Sequence, residues 1–295
     1  MRVKLAKHIG FCAGVKRAIS ITEKTLAKTK GPVYCLGEII HNSQVMARLK
    51  GRNLVQVDSP AKVPAGAILI LPSHGSPHKV RIEARRRRIR LIDVMCPYVA
   101  SVHDICSRMR ADGMKVVIIG DKDHSEVRAL AELAPDPVII SDIGDIRQNE
   151  FSGLSVGIIS QTTQSREKFS AMVNALIENN PKVRSIHIYN TICLDTSCRQ
   201  EEVRELARSV DRLLVIGSRT SANTNRLYNI GRRINSNTYL VESADSAIFA
   251  KLGKSGTVGI ISGASAPDWL VGQIVKKLKI AAKEDGQLQT SREVA

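Results

Sequence analysis

Short runs of aliphatic and β-branched residues recur along the chain, at Val33–Leu36, Ala67–Leu71, Val116–Ile119, Val138–Ile140, Val156–Ile159, Leu213–Ile216 and Val258–Ile261. Between them apolar positions fall three and four apart, most clearly over Ser165–Ile177, Glu201–Val210 and Trp269–Ile280. Unbroken apolar strands alternating with amphipathic helices predict parallel sheets covered on both faces. Ligands of such sheets collect beyond the carboxyl ends of the strands. Five polar loops fall there: Gly37–Asn42, Pro72–Gly75, Gly120–His124, Ser160–Thr163 and Gly217–Ser221. Five loops of one kind predict a shared central cavity.

Three cysteines, Cys12, Cys96 and Cys193, each stand where an extended stretch gives way to a helical pattern, 84 and 97 residues apart. This spacing hints at a threefold repeat, with boundaries near the cysteines. Residues 14–95 and 96–190 then form two α/β domains, and residues 1–13 plus 191–280 form the third. Residues 281–295 are polar, lack apolar periodicity and are expected to fray. Three converging thiols would leave a fourth coordination position open, as on an iron–sulfur cluster built for chemistry. The alternatives are a structural zinc site, for which the short C-x-x-C pairs are missing, and three unrelated core thiols. Cys35 sits inside a predicted strand and Cys106 inside a helical pattern, where free cysteine behaves as a small hydrophobe. Cys198 is the strongest competing ligand.

Composition narrows the class. With 295 residues and 43% hydrophobic content, the chain can build two or three α/β units, and with 3% aromatics the cores must be aliphatic. No apolar run reaches 18 residues, and the N-terminus lacks an apolar signal segment, so no membrane partner is expected. Together with cysteines in no disulfide-like spacing, this predicts a reducing, cytoplasmic setting. A net charge of +16 favours acidic partners. The densest basic cluster, Arg85–Arg88 with Arg90, reads as a solvated helix end running into a strand at Leu91-Ile92. A nucleic-acid arm is disfavoured there, because no aromatic residues are interleaved.

Among the remaining polar residues, His41, His74 and His124 each follow an apolar run. A solvated loop histidine explains any one of them; an anionic ligand better explains three. His103 and His187 fall in helical or strand-like patterns and read as structural, while His8 and His78 stay undecided. Glu126 opens a helical segment, where it is either a charge favoured by the helix dipole or a proton donor. Gln161-Thr162-Thr163 offers groups suited to orienting such a carboxyl. Ser221–Thr224 and Gly263–Ser265 resemble helix-start turns suited to phosphate.

Read together, these segments resemble the 4-hydroxy-3-methylbut-2-enyl diphosphate reductase family of the non-mevalonate isoprenoid pathway. The resemblance runs from Gly10-Phe11-Cys12-Ala13-Gly14-Val15, through Gly37–Asn42, Ser73-His74-Gly75, Cys96-Pro97, His124 with Glu126, Ser160–Thr163, Asn190–Cys193 and Arg199-Gln200, to Gly263–Asp268. It implies three similar α/β domains with small, mostly parallel sheets, arranged with pseudo-threefold symmetry around a 4Fe–4S cluster. On that resemblance Cys12, Cys96 and Cys193 hold three irons and the fourth iron is open. Glu126 donates a proton with Thr162 in its relay, and His41, His74, His124, Thr162, Ser221, Asn223 and Ser265 bind the substrate. The implied reaction is reductive dehydroxylation of an allylic diphosphate to isopentenyl and dimethylallyl diphosphates, with an acidic ferredoxin or flavodoxin as electron donor.

Several positions depart from the family pattern. Thr220-Ser221-Ala222-Asn223 stands for Asn-Ser-Ser-Asn, and Asp93-Val94-Met95-Cys96-Pro97 for Asp-Ala-Thr-Cys-Pro. Asp123 and Ser125 replace Gly and Pro around His124, Asp195 replaces an Ala, and Ser73 and Ser76-Pro77 alter Ala-His-Gly-Val-Ser. Neutral drift is one reading; a divergent paralogue acting on another allylic or phosphorylated substrate is the other. A non-catalytic iron–sulfur sensor and a nucleic-acid-binding protein are the alternatives from other classes.

Overall fold

The computed structural model describes residues 1–147, 149–252 and 255–283. In chain order these form β1 (Arg2–Leu5), α1 (Ala13–Lys28), β2 (Val33–Leu36), α2 (Ser43–Lys50), β3 (Leu54–Val57), β4 (Ile68–Leu71), α3 (His78–Arg86) and β5 (Arg90–Asp93). There follow α4 (Pro97–Ala111), β6 (Lys115–Ile119), α5 (Ser125–Ala131), β7 (Val138–Ile140), α6 (Ile143–Arg147), β8 (Ser155–Ser160), α7 (Arg166–Asn179) and β9 (Ser185–Ile188). The chain ends with α8 (Leu194–Ser209), β10 (Arg212–Ile216), α9 (Ala222–Ile234), β11 (Thr238–Val241), α10 (Ile248–Lys251), β12 (Thr257–Ser262) and α11 (Asp268–Lys283).

The strands make three four-stranded sheets, ordered β3-β2-β4-β5, β7-β6-β8-β9 and β11-β10-β12-β1. Every pairing is parallel, as in Val117↔Ile158 and Leu214↔Ile260. If strands are counted from the first in each sheet, all three read 2-1-3-4. The third keeps that order only because the N-terminal strand β1 pairs with β12 and supplies its fourth strand. The fold class expected from the apolar runs is therefore present.

Both faces of the sheets are covered, which is why the central strands are apolar at consecutive positions. In β6, Val117 and Ile119 pack on one face with Phe169 and Leu176 of α7, while Val116 and Ile118 pack on the other with Cys106 and Met109 of α4. Sheet β11-β10-β12-β1 repeats this: Leu214 and Ile216 meet Leu270 and Ile274 of α11, and Leu213 and Val215 meet Val203 and Ala207 of α8.

The chain divides into two compact units. One comprises Met1–Val15, His41–Val45 and the chain from Leu194 onward; the other comprises Lys16–Ile40 and Met46–Cys193.

Four strands lie where no apolar run predicted one: β1, β3, β9 and β11. All are edge strands, and they alternate or expose their residues, as in β3 (Leu54 and Val57 buried, Val55 and Gln56 exposed). Helix α8 starts seven residues before the predicted Glu201, because its first turns bury Thr196, Arg199 and Gln200 instead of apolar residues. Helix α11 continues to Lys283, through the first three positions expected to fray. The rest of that segment, 284–295, lies outside the described residues.

Candidate active site

In each sheet the chain reverses direction of travel between its first and third strands, the position where open α/β sheets bind ligands. The loops leaving those six strands carry the expected polar residues. His41 follows β2 and His74 follows β4; His124 and Glu126 follow β6 and Thr162 follows β8; Ser221 and Asn223 follow β10 and Ser265 follows β12. Each fourth strand leads to a cysteine: β1 to Cys12, β5 to Cys96 and β9 to Cys193.

One hydrogen bond recurs in all three sheets. The cysteine N–H donates to a carbonyl in the loop after the third strand: Cys96 to Ser73 at 2.9 Å, Cys193 to Thr162 at 2.9 Å and Cys12 to Ala264 at 3.0 Å. Each cysteine directly precedes a helix of 15 or 16 residues, α1, α4 or α8. Each sulfur thus stands at the positive end of a helix dipole. The Val15 N–H also donates to Cys12 Sγ at 3.4 Å.

The other cysteines differ in kind. Cys35 and Cys106 are fully buried in β2 and α4. Burial pushes their thiols up to about 12 and about 11, so they stay protonated. Cys198 lies on α8 in a cleft of about 380 Å³ that it shares with Lys7, His8 and Glu202. Cys12, Cys96 and Cys193 form no disulfide and are partly exposed. Among the described residues no three His, Cys, Asp or Glu side chains form a metal-holding group. Cys12 belongs to one unit, and Cys96 and Cys193 to the other.

Glu126 and Thr162 are brought together. Glu126 is 2% exposed. One carboxylate oxygen accepts from the Thr162 N–H at 2.6 Å and the other from the Thr162 hydroxyl at 2.8 Å. His124 caps α5, with Nδ1 accepting from the Glu126 N–H at 3.3 Å. Gln161, fully buried, ties the two loops by accepting from the Asp121 N–H at 2.9 Å and donating to Thr163 Oγ1 at 2.7 Å.

In the unit holding Cys12, the Ser265 hydroxyl donates to the His41 carbonyl at 3.1 Å, and Asn42 Nδ2 donates to the Ser265 carbonyl at 2.9 Å. Ser221 caps α9 by accepting from the Thr224 N–H at 3.3 Å. Asn223 is 3% exposed, and neither its amide oxygen nor its amide nitrogen meets a partner. A buried primary amide left this way costs stability unless a ligand or water completes it.

Three of the departures from the family pattern, Val94, Asp123 and Asp195, are absorbed locally. Val94 is fully buried, so its added bulk sits in the core. Asp123 is exposed and pairs with Arg128 at 3.0 Å. Asp195 pairs with the buried Arg199 at 2.7 Å. Two residues escaped the sequence reading: Arg17 and Tyr98, which donate to the carbonyls of Met95 and Ile192, the residues before Cys96 and Cys193. Tyr98 carried a signal, being one of five tyrosines and two positions after a cysteine; Arg17 carried none.

Comparison with known proteins fits this architecture. The chain is 37% identical over 294 residues to a 4-hydroxy-3-methylbut-2-enyl diphosphate reductase of Aquifex aeolicus, covering 97% of this chain and 98% of that one. It is 35% identical to the enzyme of the same name from Sodalis glossinidius, with 99% and 94% covered. A solved structure of E-1-hydroxy-2-methyl-but-2-enyl-4-diphosphate reductase from Plasmodium falciparum superposes with a TM-score of 0.88 at 27% identity, over 93% of this chain and 86% of that one. No helix among the described residues is long and apolar enough to cross a membrane. The family model described as LytB protein matches residues 3–279, so a chain that repeats one cysteine-bearing sheet three times belongs to the LytB protein family.

Proposed function

We propose that the chain reduces 4-hydroxy-3-methylbut-2-enyl diphosphate to isopentenyl and dimethylallyl diphosphates. The reaction breaks the allylic C–O bond, consumes two electrons and two protons, and releases the hydroxyl as water. One proton goes to that oxygen and the other to either end of the allyl unit, giving the two isomers. The observation that carries the reading is the continuous line from Cys193 through Thr162 to Glu126, a buried carboxyl two hydrogen bonds from a ligand cysteine.

Cys12, Cys96 and Cys193 are the ligands in this reading, and the donor set fits. They are partly exposed thiols at helix starts, whereas Cys35 and Cys106 are buried and held protonated. When bound by these three thiols, a 4Fe–4S cluster would supply the electrons and a Lewis-acidic position for the leaving hydroxyl. Glu126 holds the transferable proton, and Thr162 fixes the carboxyl through both oxygens. The Asn223 amide, buried and without partners, completes its hydrogen bonds on the diphosphate. Ser221, Ser265, His41, His74 and His124 add donors around it. The three sheets with their helices are read as three domains, 14–95, 96–190 and 1–13 plus 191–280. An acidic one-electron protein is the donor, suited to a chain of charge +16.

The divergent-paralogue reading draws no support from Val94 or Asp195, since one is core and the other neutralises Arg199. The test is anaerobic purification, measurement of cluster content, and turnover of the diphosphate with dithionite and a viologen. Turnover lost in Glu126→Gln with the cluster retained supports the reading. A loaded cluster in the unaltered chain without turnover refutes it.

A further inference from the structure

The helices that follow the three cysteines hold one another's cysteine loops in a cycle. Arg17, on the helix after Cys12, donates from Nη1 to the carbonyl of Met95, next to Cys96, at 3.2 Å. Tyr98, on the helix after Cys96, donates from its hydroxyl to the carbonyl of Ile192, next to Cys193, at 3.0 Å. Arg199, on the helix after Cys193, donates from Nη2 to the carbonyl of Gly10, two residues before Cys12, at 3.1 Å. The donors differ in type, so this is no residue repeat. What recurs is the place of the donor, early on the helix, and of the acceptor, beside the next cysteine.

Two of the three clamps are visibly built in. Arg199 is 1% exposed and its guanidinium also reaches the His8 carbonyl at 3.1 Å and the Ser262 carbonyl at 2.9 Å, with Asp195 as counter-ion at 2.7 Å. A rigid planar fork with several carbonyls fixes a loop better than a single donor does. Tyr98 is half-buried, and its ring packs against the core that holds Val102, Cys106 and Val127, so its hydroxyl is presented to the Ile192 carbonyl from a fixed ring.

We infer that Arg17, Tyr98 and Arg199 are positioning residues, each holding the loop of the next cysteine in the cycle and no other. Its consequence for the loaded protein rests on the cluster reading above, while the clamps themselves do not. The test uses the full-length reduced chain, stripped of metal without oxygen and treated with iodoacetamide. Alkylation is followed peptide by peptide, with Cys198 as internal reference for the Arg17 and Tyr98 variants and an added free peptide thiol as reference for the Arg199 variant. Tyr98→Phe removes only a hydroxyl, and Cys193 should react roughly two- to tenfold faster, the range for losing one hydrogen bond that resists local opening. Cys12 and Cys96 should keep their rates. Arg17→Met should speed Cys96 alone, and Arg199→Lys should speed Cys12 alone. Equal acceleration of all three thiols, no acceleration, or acceleration of the cysteine preceding the altered helix overturns the inference. If Arg199→Lys does not fold, the other two variants decide. With cluster loaded, Tyr98→Phe should also lose it faster to a chelator, read from visible absorbance. A wild-type chain that binds no cluster would remove the functional reading and leave the alkylation pattern to be judged separately.

Discussion

Glu126 shows how much one side chain can be asked to do. Its carboxyl is buried, yet both oxygens accept from a single residue, Thr162. Those two contacts hold the carboxyl in one orientation, as the proposed proton transfer requires. Glu126→Gln keeps the shape and removes the acid, so turnover should fall about 10²–10⁴-fold, the usual range for a positioned acid, with substrate affinity changed far less. Thr162→Val loses the hydroxyl but keeps the N–H contact, so it should cost less, on the order of tenfold. Measuring kcat and substrate Kd in both variants checks the order; equal loss of affinity and turnover would speak against the acid role. His103 offers a residue-scale prediction of another sort. Its Nε2 is buried without a partner beside Gly75, and burial, then the nearby Arg81, lower its pKa from 6.5, with Asp104 and Asp93 opposing only in part. The unfolded chain therefore binds a proton there before the folded chain does, and stability should decline as pH falls below about 6.5. His103→Gln should flatten that part of the acid limb in urea titrations.

At the scale of elements, the loop between β1 and α1 is under the tightest constraint. Gly10 has φ +80°, its N–H donates to Ser262 Oγ at 2.8 Å, and a Cβ there would lie 1.7 Å from an Asp268 carboxylate oxygen. Gly66 has a similar φ of +78° but open space around it. Gly66→Ala should therefore cost only the left-handed backbone term, about 1–2 kcal/mol. Gly10→Ala should cost clearly more, because Asp268 or the loop must also move; urea unfolding of the two variants compares them directly. This contrast also marks what could be read in advance. The central strands were legible because burial on both faces demands apolar residues at consecutive positions, as in Val116–Ile119. The edge strands were not, because Ser185–Ile188 and Thr238–Val241 face solvent on part of their surface. The candidate site residues at strand ends stood out as polar residues after apolar runs. A support such as Arg17 did not, because it reaches a backbone carbonyl, and a carbonyl acceptor leaves no trace in residue type.

For the whole molecule, the dominant long-range property is a net charge of +16. Arg85, Arg86, Arg88 and Arg90 are exposed where α3 runs into β5, so part of that charge is free to act at a distance. A field of this sign speeds encounter with an acidic protein donor, and it is screened over about 10 Å at 0.1 M salt. Turnover driven by an acidic electron-transfer protein should therefore fall on the order of tenfold between low and moderate ionic strength. The diphosphate is also an anion, so salt sensitivity alone does not identify the donor's contribution. Dithionite/viologen-driven turnover supplies the comparison, because it uses the same substrate contacts without protein docking. It should change much less, since the substrate contacts proposed above involve buried groups such as Asn223 and are less exposed to screening. Replacing Arg85 and Arg86 with Ser should reduce the salt slope of the protein-driven rate and leave the viologen-driven rate unaltered. Parallel salt slopes for the two donors would instead assign the effect to diphosphate binding, and would turn the basic surface into a solubility feature with no part in electron delivery.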